Sequence, residues 1–245
     1  RSVTQLTAEV RRFKPDIMHA NDVPSCQALS VVGDQCRIPR VVHVRWGITA
    51  AAAGWWARRG AESVVCISDW VRRQLGDLQH TSLRNACVEH LIDAVDWPAE
   101  SDINDPVVSA LNDDNEPCIG FAGQIIEDKG LDLIIDALGA MRPADRPRLL
   151  VAGEDTQSHG AYKRHLQQHA EKIGVADRIE WLGFLHDVGE MYSRVHAVVC
   201  PSRVEPLGLV PLEAARYGVP AFASREGGLV ETIDHNVTGV LVKPT

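Results

Sequence analysis

The feature that most constrains the fold of this chain is an apolar run followed by a tight loop and a helix. Residues 196–200 have the pattern of a buried strand, and residues 201–208 form a loop marked by proline and glycine. A helix is predicted to begin near Gly208. The same order of strand, loop and helix recurs along the chain. This alternation is typical of βαβ units, whose parallel sheet is covered by helices on both faces.

The recurring units form two series that are separated by an acidic stretch. In the first series, short apolar runs occupy residues 16–20, 41–44, 63–67 and 86–92, with helical stretches at about 49–60 and 69–76. The second series starts at Pro117, after a stretch with few apolar residues. We therefore predict a Rossmann-like domain over 1–100, a linker over 101–116 and a second Rossmann-like domain over 117–245.

Composition limits the function classes. The chain has 245 residues and a formal net charge of −8, which argues against nucleic acid as a main partner. Six cysteines show no C-x-x-C pair, which favours free thiols in a reducing, cytoplasmic compartment. No apolar run approaches the roughly 18 residues that would span a membrane. The first residue is Arg1 and the last run has no helix after it, so we expect a fragment truncated at both ends.

Two carboxylates flank the loop described first. Glu205 lies on the loop, and Glu213 is expected in the first turn of the following helix. The free N–H groups at a helix N-terminus favour a bound phosphate, and a carboxylate on either side could accept hydrogen bonds from a sugar and a ribose. The alternative is structural, because a glutamate in a first turn is stabilised by the helix dipole and Glu205 could be a solvated loop residue.

The segment Glu205-Pro-Leu-Gly-Leu-Val-Pro-Leu-Glu213 resembles the signature of family 4 retaining glycosyltransferases of the GT-B fold. That signature is usually written E-P-F-G-L-V-x-x-E, and this chain departs from it only at Leu207. The resemblance implies two Rossmann-like domains facing a cleft, with the N-terminal domain incomplete here. It also implies that Glu205 contacts the donor sugar and Glu213 the ribose. The backbone N–H groups of Leu207, Gly208 and Leu209 would cradle the phosphates and the sugar.

A second segment, from Gly123 to Gly130, is similar to the family pattern G-R-L-x-x-x-K-G, whose Arg and Lys contact the donor phosphates. Gly123 would allow a close backbone approach, and Lys129 would stabilise the leaving diphosphate as a catalytic residue. Gln124 stands at the Arg position, where it can donate a hydrogen bond but carries no charge. An exposed lysine at a helix start is the structural alternative.

A third segment, from Pro15 to Asp22, is similar to the family pattern P-D-V-V-H-x-H-D. On this resemblance His19 is a candidate catalytic residue on the acceptor side. The residue pattern alone favours a structural histidine at a strand end. Arg45 stands at about the place where many members have a histidine.

The resemblance implies transfer of a hexose from a nucleotide diphosphate sugar to a glycan, lipid or small-molecule acceptor, with retention of configuration. No cofactor and no metal are expected, since no Asp-x-Asp pair lies near the phosphate loops. A GT-B sugar-nucleotide epimerase and a catalytically impaired nucleotide-sugar-binding protein are the alternatives. Paired arginines at 11/12, 58/59 and 72/73 are solvated helix faces or, as a second interpretation, a patch for peripheral membrane contact.

Overall fold

A computed structural model describes residues 3–21, 23–47, 62–74, 86–88 and 116–243. These residues fall into two compact units, one within 1–91 and the other within 92–245. Most of the predicted linker, residues 101–115, lies outside the described residues, as does the helix expected at about 49–60. The predicted domain boundary at 101–116 therefore stays a prediction.

The first unit contains a parallel sheet with its strands in sequential order. Strands β1 to β4 are Met18–Ala20, Arg40–Val44, Ser63–Cys66 and Ala86–Val88, and they lie in the order β1-β2-β3-β4. All three pairings are parallel, as the alternation of strands and helices predicts. Helices α1 to α3 are Val3–Phe13, Val23–Cys36 and Asp69–Gln74.

Arg40 ties three elements of the first unit together. Its guanidinium contacts Asp34 on α2 and Glu62 just before β3, each at 2.9 Å, and only 11% of its side chain is exposed. The hydrogen bond to the Glu62 carboxylate raises the pKa of Arg40, and the negative charge of Glu62 raises it further. This ion-pair network fixes the start of β2 against α2.

The second unit contains a six-stranded parallel sheet. Strands β5 to β10 are Cys118–Ala122, Arg148–Ala152, Ile179–Gly183, Ala197–Cys200, Ala221–Ser224 and Gly239–Val242. Helices α4 to α8 are Leu131–Ala140, Ala161–Lys172, Gly189–Tyr192, Leu209–Ala215 and Leu229–Thr232. Three short 3₁₀ helices are Glu127–Lys129, Pro143–Asp145 and Ala176–Arg178.

Successive side chains of this sheet are buried on opposite faces. On β6, Leu149 and Val151 pack in one core cluster with α4, while Leu150 packs in another with α6 and α7. Side chains alternate across a strand, so a strand that is apolar at every position needs cover on both sides. Helix α4 supplies cover through a 3.6-residue pattern that buries Ile134 and Leu138.

The strand order places a crevice at the carboxyl edge of this sheet. The order is β10-β9-β8-β5-β6-β7, so the chain runs one way from β5 to β7 and then returns to build outward from β8. The direction reverses between β5 and β8, which pair in parallel through Ile119 and Ala197. Ligands of open α/β sheets bind at such a switch point, outside the carboxyl ends of the strands.

Candidate functional site

The loop after β5 is shaped by two glycines that adopt left-handed backbone angles. Gly123 has φ 141°, and a Cβ added there would meet no described atom within 4 Å. Gly130 has φ 70°, and a Cβ added there would lie 2.2 Å from the carbonyl oxygen of Pro201. Since no side chain fits at Gly130, this glycine allows the loops after β5 and β8 to touch.

Arg203 fastens the loop after β8 to the loop after β5. Its backbone N–H donates to the carbonyl oxygen of Asp128 at 2.7 Å, and its guanidinium donates to the carbonyl oxygen of Glu127 at 2.6 Å. The same guanidinium makes a two-pronged contact with Asp132 on α4, at 2.9 and 2.6 Å. The Arg203 guanidinium holds the pKa of Asp132 below its usual range. Arg203 thus links the two loops and the helix that follows the first one.

Lys129 and Glu205 meet between these loops. The Lys129 Nζ lies 2.6 Å from Glu205 Oε2, and the two side chains are 21% and 16% exposed. The Ser202 hydroxyl donates to the same carboxylate oxygen at 3.3 Å. The backbone of Glu205 is also fixed, because its carbonyl accepts from the Gly228 N–H at 2.7 Å. The structure therefore brings the predicted catalytic pair together, at the place where the strand order reverses.

Glu213 is held apart from this pair. It is the fifth residue of α7, so the expectation of a first-turn glutamate is wrong. The helix begins directly after Gly208, whose left-handed backbone ends the loop. The Tyr192 hydroxyl donates to Glu213 Oε2 at 3.0 Å. Its half-buried carboxylate is therefore oriented by a tyrosine and not by the helix N-terminus.

The remaining predicted donor-side residues differ in exposure. Leu207 and Gly208 are buried, while Leu209 and Gln124 are exposed. The exposed Gln124 follows Gly123 directly after the end of β5. Next to them, burial and then the negative charge of Glu205 raise the pKa of Cys200 to about 12, so its thiol stays protonated.

His19 lies in the first unit, on β1, where its side chain is exposed. Its ring stacks on that of the buried His43, with centroids 6.3 Å apart and 16° between the planes. This placement agrees with the strand histidine that the residue pattern favours, and a catalytic role for His19 stays a prediction.

Several contributors to the site were missed by the sequence patterns. Arg203 has its partner Asp132 71 residues away, and Tyr192 has its partner Glu213 21 residues away. The available signal for Arg203 was its place two residues before Glu205 in a loop expected to bind an anion. Tyr192 carried no signal, because nothing in the short segment Gly-Glu-Met-Tyr192 indicates which residue its hydroxyl would contact.

The described residues also bear on metal binding, membrane spans, the cysteines and one of the arginine pairs. No group of three or more His, Cys, Asp or Glu in them could hold a metal ion, and none of the helices there is long and apolar enough to cross a bilayer. The cysteines with described side chains are thiols and not disulfides, and Cys26, Cys66, Cys118 and Cys200 are buried. Arg72 and Arg73 both pair with Asp69, as expected for a solvated helix face.

The decisive comparison is with protein families. The model of the family described as glycosyl transferases group 1 matches residues 105–245, which is more than half of the chain. The chain belongs to this family. The match covers both loops of the site, so the Lys129–Glu205 pair lies in the part of the chain that defines the membership.

Curated relatives of this group 1 glycosyltransferase chain include enzymes with different products. It is 32% identical to the lipopolysaccharide core biosynthesis mannosyltransferase LpsB of Rhizobium meliloti over 151 residues, covering 61% of this chain and 43% of that protein. It is 28% identical to a glycogen synthase of Mycobacterium tuberculosis over 255 aligned positions, covering 96% of this chain and 58% of the relative. The chain thus spans less than two thirds of the length of these relatives.

Solved glycosyltransferase structures share the fold. Anabaena HepE in complex with UDP-glucose superposes with a TM-score of 0.81 at 22% identity, covering 99% of this chain and 68% of that one. The sucrose-phosphate synthase of Thermosynechococcus elongatus gives a TM-score of 0.74 at 22% identity, covering 99% and 64%. The α/β architecture with parallel sheets is therefore that of GT-B glycosyltransferases, as predicted.

Proposed function

We propose that this chain is part of a family 4 retaining glycosyltransferase that transfers a hexose from a nucleotide diphosphate sugar to a glycan, lipid or small-molecule acceptor. The second unit binds the donor at the carboxyl edge of its sheet. Glu205 accepts a hydrogen bond from the sugar, Glu213 contacts the ribose and Lys129 binds the diphosphate. The protein acts in the cytoplasm, and peripheral membrane contact stays a prediction.

The observation that carries this proposal is the Lys129–Glu205 pair. A cation and a carboxylate from loops 76 residues apart meet at the switch point of a parallel sheet, and both side chains are mostly buried. A diphosphate sugar presents complementary groups, namely negatively charged phosphates next to hydroxyl groups that can donate. Switch points are where such ligands bind in sheets of this kind.

The chemistry proposed for Lys129 is electrostatic. When the bond between the sugar C1 and the diphosphate oxygen breaks, negative charge grows on the diphosphate. A cation already held in place stabilises that charge in the transition state. Lys129 supplies this positive charge without a metal cofactor, and the backbone N–H groups of Leu207, Gly208 and Leu209 supply further donors.

Thermal melting of the 245-residue chain with UDP, GDP or ADP tests donor binding. A ligand at about 100 times its Kd should stabilise the fold by roughly 2.7 kcal/mol. Lys129→Ala should remove most of this gain, whereas Lys172→Ala, which changes an exposed lysine at the end of α5, should keep it. No shift with any of the three nucleotides at millimolar concentration would contradict the donor site.

Transfer and its stereochemistry need a separate experiment on the full-length protein. Lys129→Ala should lower transfer by about 100-fold, the order of magnitude for losing one transition-state donor. Proton NMR of the product should show the anomeric configuration of the donor. A product of inverted configuration would exclude the retaining mechanism.

Two observations favour a second candidate, a nucleotide-sugar-binding protein with impaired catalysis. Gln124 brings no charge to the position where the family pattern has an arginine. In addition, the Glu205 carboxylate pairs with Lys129 and offsets its charge. Binding of a nucleotide sugar without turnover by the full-length protein would favour this candidate.

A further inference from the structure

Tyr192 is a fully buried polar side chain next to the proposed donor site. It is only 1% exposed and packs in the core cluster that includes Met191 and Ala214. Its ring centroid lies 5.5 Å from that of Tyr217, with 36° between the planes. Because the interior is close-packed, another rotamer of this ring would leave a cavity behind. The position of its hydroxyl group is therefore fixed.

The Tyr192 hydroxyl has one partner, the Glu213 carboxylate, at 3.0 Å from Oε2. Among the described residues, no other side chain donates to this carboxylate. Burial and then the negative charge of Glu213 raise the pKa of Tyr192 far above its usual range, so the hydroxyl remains a donor at any physiological pH. An ionised carboxylate can accept about four hydrogen bonds, and Oε1 keeps its full capacity.

We propose that Tyr192 is a positioning residue for donor recognition: it holds one oxygen of the Glu213 carboxylate so that the other accepts a hydrogen bond from a ribose hydroxyl. The inference rests on the proposed function, which assigns Glu213 to the ribose. The inference explains how the site would select a ribonucleotide donor over a deoxyribonucleotide donor. Glu213 makes the contact that selects the ribose, and the buried tyrosine strengthens it without itself touching the ligand.

The physical reason is preorganisation. A free glutamate side chain has several accessible rotamers and loses this freedom when it binds a ligand. Tyr192 removes that freedom in advance, so the ribose hydroxyl meets a carboxylate already in place. Loss of the tyrosine hydroxyl should therefore weaken ribose recognition by about 3- to 10-fold, without changing contacts to the phosphates.

The test measures the affinity ratio of a ribonucleotide to its deoxy analogues by isothermal titration calorimetry. The ribonucleotide is whichever of UDP, GDP and ADP stabilises the chain most, and the analogues are its 2′-deoxy and 3′-deoxy forms. The wild-type chain should prefer the ribonucleotide by about tenfold or more over at least one analogue, the effect expected of a charged hydrogen bond. Tyr192→Phe should lower this preference by about 3- to 10-fold and leave the affinity for that analogue unchanged.

Three variants separate this role from packing. Glu213→Gln should lower the preference further, and Tyr192→Phe added to Glu213→Gln should have no additional effect, because the tyrosine acts through the glutamate. Tyr162→Phe, which removes a hydroxyl that donates to Asp132 at 3.3 Å, should keep the wild-type preference. Glu213→Asp keeps Tyr192 and the charge but shortens the side chain, so it should also lower the preference.

The outcomes that overturn the inference are distinct. If no nucleotide binds, the proposed function fails together with the inference. If the ribonucleotide binds with no preference over either analogue, Glu213 does not read the ribose. If Tyr192→Phe weakens both affinities by the same factor, or if Glu213→Asp keeps the full preference, then Tyr192 has a packing role alone.

Discussion

Replacing Glu205 by glutamine should make the chain bind a nucleoside diphosphate more tightly and, under the proposed function, should abolish sugar transfer by the full-length protein. The Lys129 ammonium is engaged by Glu205 at 2.6 Å. A diphosphate must compete for this cation and must also approach a negative carboxylate. Glutamine has nearly the same shape but no charge, so Glu205→Gln removes both obstacles.

The magnitude follows from how buried the pair is. Exposed ion pairs contribute about 0.2–1 kcal/mol, and hydrogen bonds to charged groups contribute about 1.5–3 kcal/mol. The Lys129 and Glu205 side chains are 21% and 16% exposed, which places this pair between the two cases. A release of about 1–2 kcal/mol corresponds to a Kd for UDP that is about 5- to 30-fold lower.

Isothermal titration of wild type and Glu205→Gln with UDP measures this change directly. Glu154→Gln is the matched control, because it removes an exposed carboxylate from the loop after β6 without freeing Lys129. UDP-glucose should gain less affinity than UDP in Glu205→Gln, since the proposed contact to the sugar is weakened. Equal or weaker UDP binding in Glu205→Gln, or an equal gain in Glu154→Gln, would refute the reasoning.

Three further predictions test the loops and one helix. Gln124→Arg should lower the Kd for UDP by about tenfold, as expected for a charged and forked donor, and titration calorimetry that shows no change would mean that this side chain points elsewhere. Gly130→Ala should lower the free energy of unfolding by about 2–4 kcal/mol in urea, because it adds a clash with Pro201 to backbone strain. Gly174→Ala, at φ 69° with open space around it, should cost only the strain of about 1–2 kcal/mol, and equal losses would contradict the clash. Hydrogen bonds from Ser158 lower the pKa of Asp155 to about 2, so this group stabilises the fold above its unfolded pKa and stops doing so as pH falls towards 2. The difference in Tm between wild type and Asp155→Asn should therefore be constant above about pH 5 and shrink between about pH 4 and 2, and a difference that grows on acidification would oppose this sign.

Local patterns in the sequence were enough to locate most elements of the sheets. The largely apolar runs at 118–122, 148–152 and 197–200 indicate buried strands and not helices, because they are short and are followed directly by glycine or proline. The periodic burial of Ile134 and Leu138 likewise marks α4 as a helix on the sheet. The motifs at Lys129 and Glu205 predicted that these residues share a site, and the distance between them agrees.

The remainder depends on contacts that no local pattern encodes. Nothing in β8 specifies that it pairs with β5, since any strand of the unit offers similar apolar side chains. Glu213 lies beyond the first turn because the helix starts directly after the left-handed Gly208. Pro211 fits within that first turn, because its missing N–H would have no partner there. Tyr192 and Arg203 acquire their roles from tertiary neighbours alone.

The return of the chain to β5 also has a kinetic consequence. β5, β6 and β7 can pair in the order in which they emerge, but β8 reaches β5 only after the whole segment between them has been placed on one side. Closing so long a loop is slow compared with forming neighbouring βαβ units. An intermediate in which only β5–β7 are paired would expose the free edge of β5. The loop after β8, which carries Glu205, would not yet lie beside Lys129. Under the proposed function, competence to bind a nucleotide would then appear only after β8 has joined β5, and UDP added during refolding should report that step.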